Sequence, residues 1–198
     1  MTAQALAQAN DLFLHVRVII SVILGLSIGR LLQGLAGFIE HPGKPRVSAI
    51  HLGWVIWALL SVIGYWWWEF SLNHITDWTF GRYLFIFAYA SCYFLICAML
   101  FPGNLDDYDG YAGYFLSRRK WFFGLVALSF ALDIGDTLLK GTAYAHALGP
   151  VYIARALLSI VACAFGAAIA ARRFQIGLAY LAILAQLAFF FAWYDRLG

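Results

Sequence analysis

Six long apolar segments set what this chain can become. They run at about Leu12–Phe38, Ala49–Phe70, Phe80–Phe101, Trp121–Leu139, Val151–Ala171 and Phe174–Trp193. Each holds roughly 20 residues, the number a helix needs to cross about 30 Å of hydrocarbon. None shows the strict alternation of a barrel strand. Backbone groups inside a bilayer have no water to bond, so segments of this kind must be helices. The sequence predicts an all-α, polytopic six-transmembrane-helix bundle, with residues 1–198 as a single transmembrane domain.

Composition agrees. Of 198 residues, 64% are hydrophobic and 12% charged, where a soluble domain averages roughly 45–50% and 25%. Soluble, disordered and collagen-like chains are therefore excluded. Nucleic acid is not an expected partner, and the lipid bilayer is; a homo-oligomer or larger membrane complex stays open. Cys92, Cys97 and Cys163 all fall in apolar runs, which suits reduced packing thiols. Met1–Asp11 carries no Lys or Arg, so it lacks the charged start of a signal peptide. The first segment is read as a retained helix.

The connections are short. His41-Pro-Gly-Lys-Pro45 breaks the chain after the first helix, Asn73–Asp77 is polar, and Pro102–Tyr114 is the longest loop. Gly141–Pro150 links the fourth and fifth helices, and Arg172-Arg173 marks a tight turn. Lys44, Arg46, Arg118, Arg119, Lys120, Arg172 and Arg173 share one side, against Arg17, Arg82, Lys140 and Arg196 on the other. The basic excess predicts that loops 39–48, 102–120 and 172–173 are cytoplasmic, with both termini outside. Trp66, Trp67, Trp68, Trp78, Trp121 and Trp193-Tyr194 are read as headgroup-level anchors. Gly25/Gly29 and Gly166/Ala170 have the spacing of close helix packing within the monomer.

The scarce intramembrane charges carry whatever function is legible, because each needs a partner or a purpose. Ser129, Asp133, Asp136 and Lys140 are four, three and four apart, hence on one face of the fourth helix. Asp133 falls about three residues, ~4.5 Å, past the segment midpoint. Arg155 lies about one turn inside the outer end of the fifth helix, at the depth of Asp136, so an Asp136–Arg155 ion pair is expected. Glu69, His15, Arg17 and Arg82 reach the same outer half. His51 and Glu69 are five turns apart on one face of the second helix, near opposite surfaces. Arg30 and Gln33 are read as snorkelling or packing groups.

Other chemistries fail on the residues. His15 and His51 are at opposite depths, which excludes a bis-histidine haem. Asp106, Asp107 and Asp109 lack the first and twelfth ligands of a calcium loop. No Walker loop, zinc motif or nucleophile elbow is present. No cofactor and no metal site are expected, and the chain is not expected to be an enzyme.

The stretch His51-Leu-Gly-Trp54, Trp66-Trp-Trp-Glu-Phe70 and Trp78-Thr-Phe80, with Leu100-Phe-Pro102, Tyr114-Phe115 and Arg118-Arg-Lys-Trp-Phe-Phe123, resembles a group of small, uncharacterised bacterial integral membrane proteins. The resemblance covers about the second to fourth helices. It implies a bacterial inner-membrane protein and brings no activity with it.

Two readings follow for the charges. In one, Asp133, Asp136 and Arg155, with Glu69, His15, Arg17 and Ser129 around them and His51, Arg82 and Lys140 secondary, form an ion or proton path of a small channel or transporter. In the other, they only lock helices together in a non-catalytic membrane subunit or scaffold. A small membrane enzyme or a lipid- or cofactor-binding protein is a third reading.

Overall fold

The computed structural model describes residues 3–41 and 47–193, with side chains from Asp11 onward, His74 apart. Lys44, Arg46, Arg196, Tyr194 and the turn at 42–45 lie outside the described residues. Six helices follow one another: α1 (Ala3–Glu40), α2 (Ala49–Trp68), α3 (Phe80–Leu100), α4 (Gly110–Leu139), α5 (Thr142–Ala168) and α6 (Arg172–Trp193). A short 3-10 turn, Glu69–His74, extends α2. All six are long and apolar enough to span a membrane. The protein is a multi-pass membrane helical bundle in a lipid environment.

α2 is the central helix. In its most apolar stretch 61% of residues are buried, against 22–39% for the others. It touches α1, α3, α4 and α6. Around it α1 packs on α3, α3 on α4 and α4 on α5, while α5 and α6 barely meet. The chain crosses six times, so one face holds Lys140 and the α2–α3 and α4–α5 connections. The opposite face holds His51 and the α3–α4 and α5–α6 connections.

Three local features depart from the expected boundaries. First, α4 begins at Gly110, so the basic Arg118-Arg119-Lys120 run lies on a helical extension and the α3–α4 loop is shorter than expected. Second, α5 begins at Thr142, directly after Lys140-Gly141, so most of the expected linker is helical and a break remains inside α5 at Gly149-Pro150. Gly149 has φ 71° and ψ −177°, a region open essentially to glycine alone. Pro150 then restarts the helix, where its missing N–H costs nothing. Third, Trp66 and Trp67 are about half exposed, as anchors should be, but Trp68 is only 4% exposed. It stacks on Tyr152 with ring centres 6.0 Å apart and planes 13° apart.

Of the small-residue pairs, Gly166 does the close packing: a Cβ there would sit 2.5 Å from the Phe123 ring. Nothing approaches Gly25 or Gly29, because that side of α1 faces outward with Val22 and Leu26.

Candidate functional site

The Lys140 half of the bundle buries a chain of ionisable groups. Its first part is built at three helix ends. Lys140 caps the C-terminus of α4, where a cation suits the helix dipole. Its ammonium lies 2.5 Å from Asp136 Oδ2, one turn back, and 3.3 Å from Glu69 Oε1 across the helix pair. It also donates at 3.3 Å to the Trp68 carbonyl at the end of α2, which accepts from the Ser71 hydroxyl at 2.7 Å as well. The Trp68 and Tyr144 rings lie within 5.9 Å of the ammonium. All three ionisable side chains are 0–3% exposed. Two carboxylates thus flank one ammonium out of contact with solvent.

One turn deeper, Asp133 belongs to a tyrosine cluster. Tyr152 donates to its Oδ2 and its main-chain oxygen, both at 2.9 Å, and Tyr89 donates to Oδ1 at 3.3 Å. Thr137 Oγ1 in turn donates to the Tyr152 hydroxyl at 2.8 Å. Tyr152 stands on the first turn of α5 after the Gly149-Pro150 break.

Asp133 borders a small polar cavity of about 30 Å³. Ser61, Tyr65, Tyr89, Tyr93, Ser129 and Arg155 also line it. The Ser61 hydroxyl and the Tyr65 hydroxyl are buried without a protein partner. A polar space of this size takes one or two waters, and these hydroxyls are placed to bond them. Toward the His51 face the cavity ends on Trp57, which meets Trp54 at 5.6 Å. Phe115, Phe122 and Phe123 pack on Trp54 within 6.3 Å.

The expected Asp136–Arg155 pair is not formed. Depth along adjacent helices was the argument for it, but angular position decides. Asp136 faces α2 and its own i+4 neighbour Lys140. Arg155 turns toward α6, where Nη2 donates to Gln186 Oε1 at 3.4 Å and the guanidinium lies 3.7 Å from the Phe189 ring centre. Arg155 shares the cavity with Asp133, near enough for electrostatic attraction but beyond ion-pair distance.

Ser129 lines the cavity and donates to the Val126 carbonyl at 2.8 Å. Glu69 and Lys140 join the cluster. His15 stays on the outside of α1, and Arg17 lies by the rings of Phe13 and Phe70 in an outer groove that Glu69 also borders. Arg82 pairs with Asp77 at the surface. His51 is fully buried at the far face. Its Nε2 donates to the Leu100 carbonyl at 2.6 Å, and its ring stacks on Tyr111 at 4.2 Å.

Sequence reasoning missed the tyrosines and Gln186. Tyrosine in a membrane helix reads as an interfacial anchor, which gives its hydroxyl no role in the interior. Gln186, an amide in the middle of the last helix, was the one available signal. Among the described residues no group of three metal-ligating side chains converges. No family model, curated protein or solved structure matches the chain.

Proposed function

We propose that the chain is a small transporter or gated channel for protons or another small ion in a bacterial inner membrane. The observation that carries this reading is Asp133: a carboxylate inside a membrane helix, held by two tyrosine hydroxyls, beside a polar cavity of water size. Groups of this kind are the usual material of proton relays. Glu69, Asp136 and Lys140 continue the ionisable chain from Asp133 to one face of the bundle. The aromatic block around Trp54 separates the cavity from the other face, so passage requires that block to move. This favours gated transfer over an open pore. By the excess of Lys and Arg, the face with Arg118, Arg119, Lys120, Arg172 and Arg173 is the cytoplasmic one.

The test is proton entry into liposomes carrying the purified chain and an internal pH-sensitive dye. Wild type is expected to acidify the lumen faster than empty vesicles, and Asp133→Asn to fall to the empty-vesicle rate. Wild-type flux equal to empty vesicles, or Asp133→Asn equal to wild type, defeats the proposal.

A packing role, as a membrane subunit, has its own supporting observation. Lys140 satisfies Asp136, Glu69 and the end of α2 at once, which a purely structural lock would also do. Stable co-purification with another membrane complex and no flux would favour it.

A further inference from the structure

α5 and α6 are consecutive and antiparallel, yet their backbones barely approach, and two polar side-chain clamps join them. At the His51 face, Gln175 Nε2 donates to the carbonyls of Gly166 and Ile169 at 2.7 and 2.6 Å. Toward the Lys140 face, Arg155 reaches Gln186. Between these clamps lies a groove of about 400 Å³, open toward the lipid. Small side chains hollow it out: Ser159 and Ala162 from α5, Ala182 and Ala185 from α6. Their spacing, three residues on each helix, is that of one helical face. Trp54, Trp57, Phe123 and Phe130 form the floor.

The groove is asymmetric in polarity. Leu158, Cys163, Leu178 and Leu181 line its length, while Arg155 and Gln186 close one end. Arg155 to Cys163 spans about 12 Å at ~1.5 Å per residue. Arg155 sits roughly 7 Å inside the Gly149-Pro150 break by the same measure. Its guanidinium carries five donors. Among the described residues it makes one hydrogen bond, the long one to Gln186, and no carboxylate lies within 4 Å of it. A fixed cation with donors to spare, at the head of a narrow apolar slot, is complementary to one anion on one chain.

We propose that this groove binds a long-chain carboxylate, a fatty-acid anion, with its head on Arg155 and Gln186 and its chain between α5 and α6 toward Cys163. A two-chain lipid would have to leave its second chain outside the slot. The proposal is independent of proton transfer at Asp133, although Arg155 borders both spaces.

Trp54 and Trp57 on the floor give the readout. The full-length chain in neutral detergent is titrated with 9,10-dibromostearate, whose bromines quench nearby tryptophan. Saturable quenching is expected, reversed by stearate but not by methyl stearate, and largely lost in Trp54→Phe/Trp57→Phe. Arg155→Gln should raise the midpoint about tenfold or more, the cost of one charge-assisted hydrogen bond, and Ala182→Phe should abolish quenching by filling the slot. Equal competition by the methyl ester overturns the proposal on the wild-type chain alone, whatever the variants do. So does a saturable site that brominated phosphatidylcholine fills as well as the free acid. Quenching that persists in Asp133→Asn while flux is lost separates this site from the proton path.

Discussion

The two ends of the bundle bury polar groups by opposite means. The Lys140 half holds Glu69, Asp136 and Lys140 in mutual contact and Asp133 under two tyrosines. The His51 half ties its buried polar side chains to main-chain carbonyls: His51, wrapped by Phe38, Phe101 and Tyr111, bonds to Leu100, and Gln175 to Gly166 and Ile169. In the first, charge is matched by charge, so each group depends on the others. In the second, rings pack around the imidazole, and each buried side chain bonds to main-chain carbonyls without depending on the others. Removing one member should therefore be costly at one end and mild at the other.

The largest effect is expected at Lys140. Lys140→Met leaves two buried carboxylates facing each other without a cation, a loss of about 3–5 kcal/mol in the manner of a broken buried ion pair. Thermal unfolding in detergent reads it as a fall in Tm. Adding Glu69→Gln and Asp136→Asn removes the unmatched charge and should recover much of that loss. A triple variant as unstable as Lys140→Met alone would mean that the cation acts through packing and not through charge.

The next effect belongs to the same half but to its backbone. Gly149→Ala forces a Cβ into a conformation with φ 71° and ψ −177°, for about 1–3 kcal/mol. Because Tyr152, on the first turn after that break, bonds Asp133, proton flux should fall together with Tm. A stable, fully conducting Gly149→Ala chain would detach the helix break from the site. At the other end, His51→Phe puts a ring among rings and loses only the bond to Leu100, about 1 kcal/mol. If this change proved as damaging as Lys140→Met, the contrast between the halves would collapse.

Much of this contrast was legible in the sequence, and the missing part has a physical cause. The six helices follow from the length of apolar runs, a one-dimensional property. The face Ser129–Asp133–Asp136–Lys140 follows from helical period, also one-dimensional. Which neighbour each charge meets depends on how each helix is rotated about its axis, and uniformly apolar helices carry little signal for that. Asp136 and Arg155 thus matched in depth but not in direction. Lys140 reads as an interfacial cation because it follows the last apolar residue of α4. It is buried because Trp68 and Tyr144 close over it, a consequence of the helical Thr142–Leu148 turn that the sequence reads as a loop.

The smallest effect is expected outside the membrane span, where charge pairing has no burial to strengthen it. Asp77 accepts from the Arg82 guanidinium in the α2–α3 connection. That hydrogen bond holds the Asp77 carboxyl below its ordinary value of 3.8. A carboxylate whose pKa is lowered by folding contributes stability that is fully present above the ordinary value and is lost as pH falls through the lowered one. Asp77 is fully exposed, so solvent and salt screen the pair and the contribution is slight. Asp77→Asn should leave Tm at pH 7 nearly unchanged and remove only a shallow acid-side dependence, measured as the wild-type minus variant difference from neutral pH down to acid. The same carboxylate–cation chemistry that is indispensable around Lys140 would then be nearly silent at Asp77, which locates the difference in burial and not in the residues. A large, salt-insensitive Tm loss in Asp77→Asn would place this connection in the bundle's cooperative core and contradict that assignment.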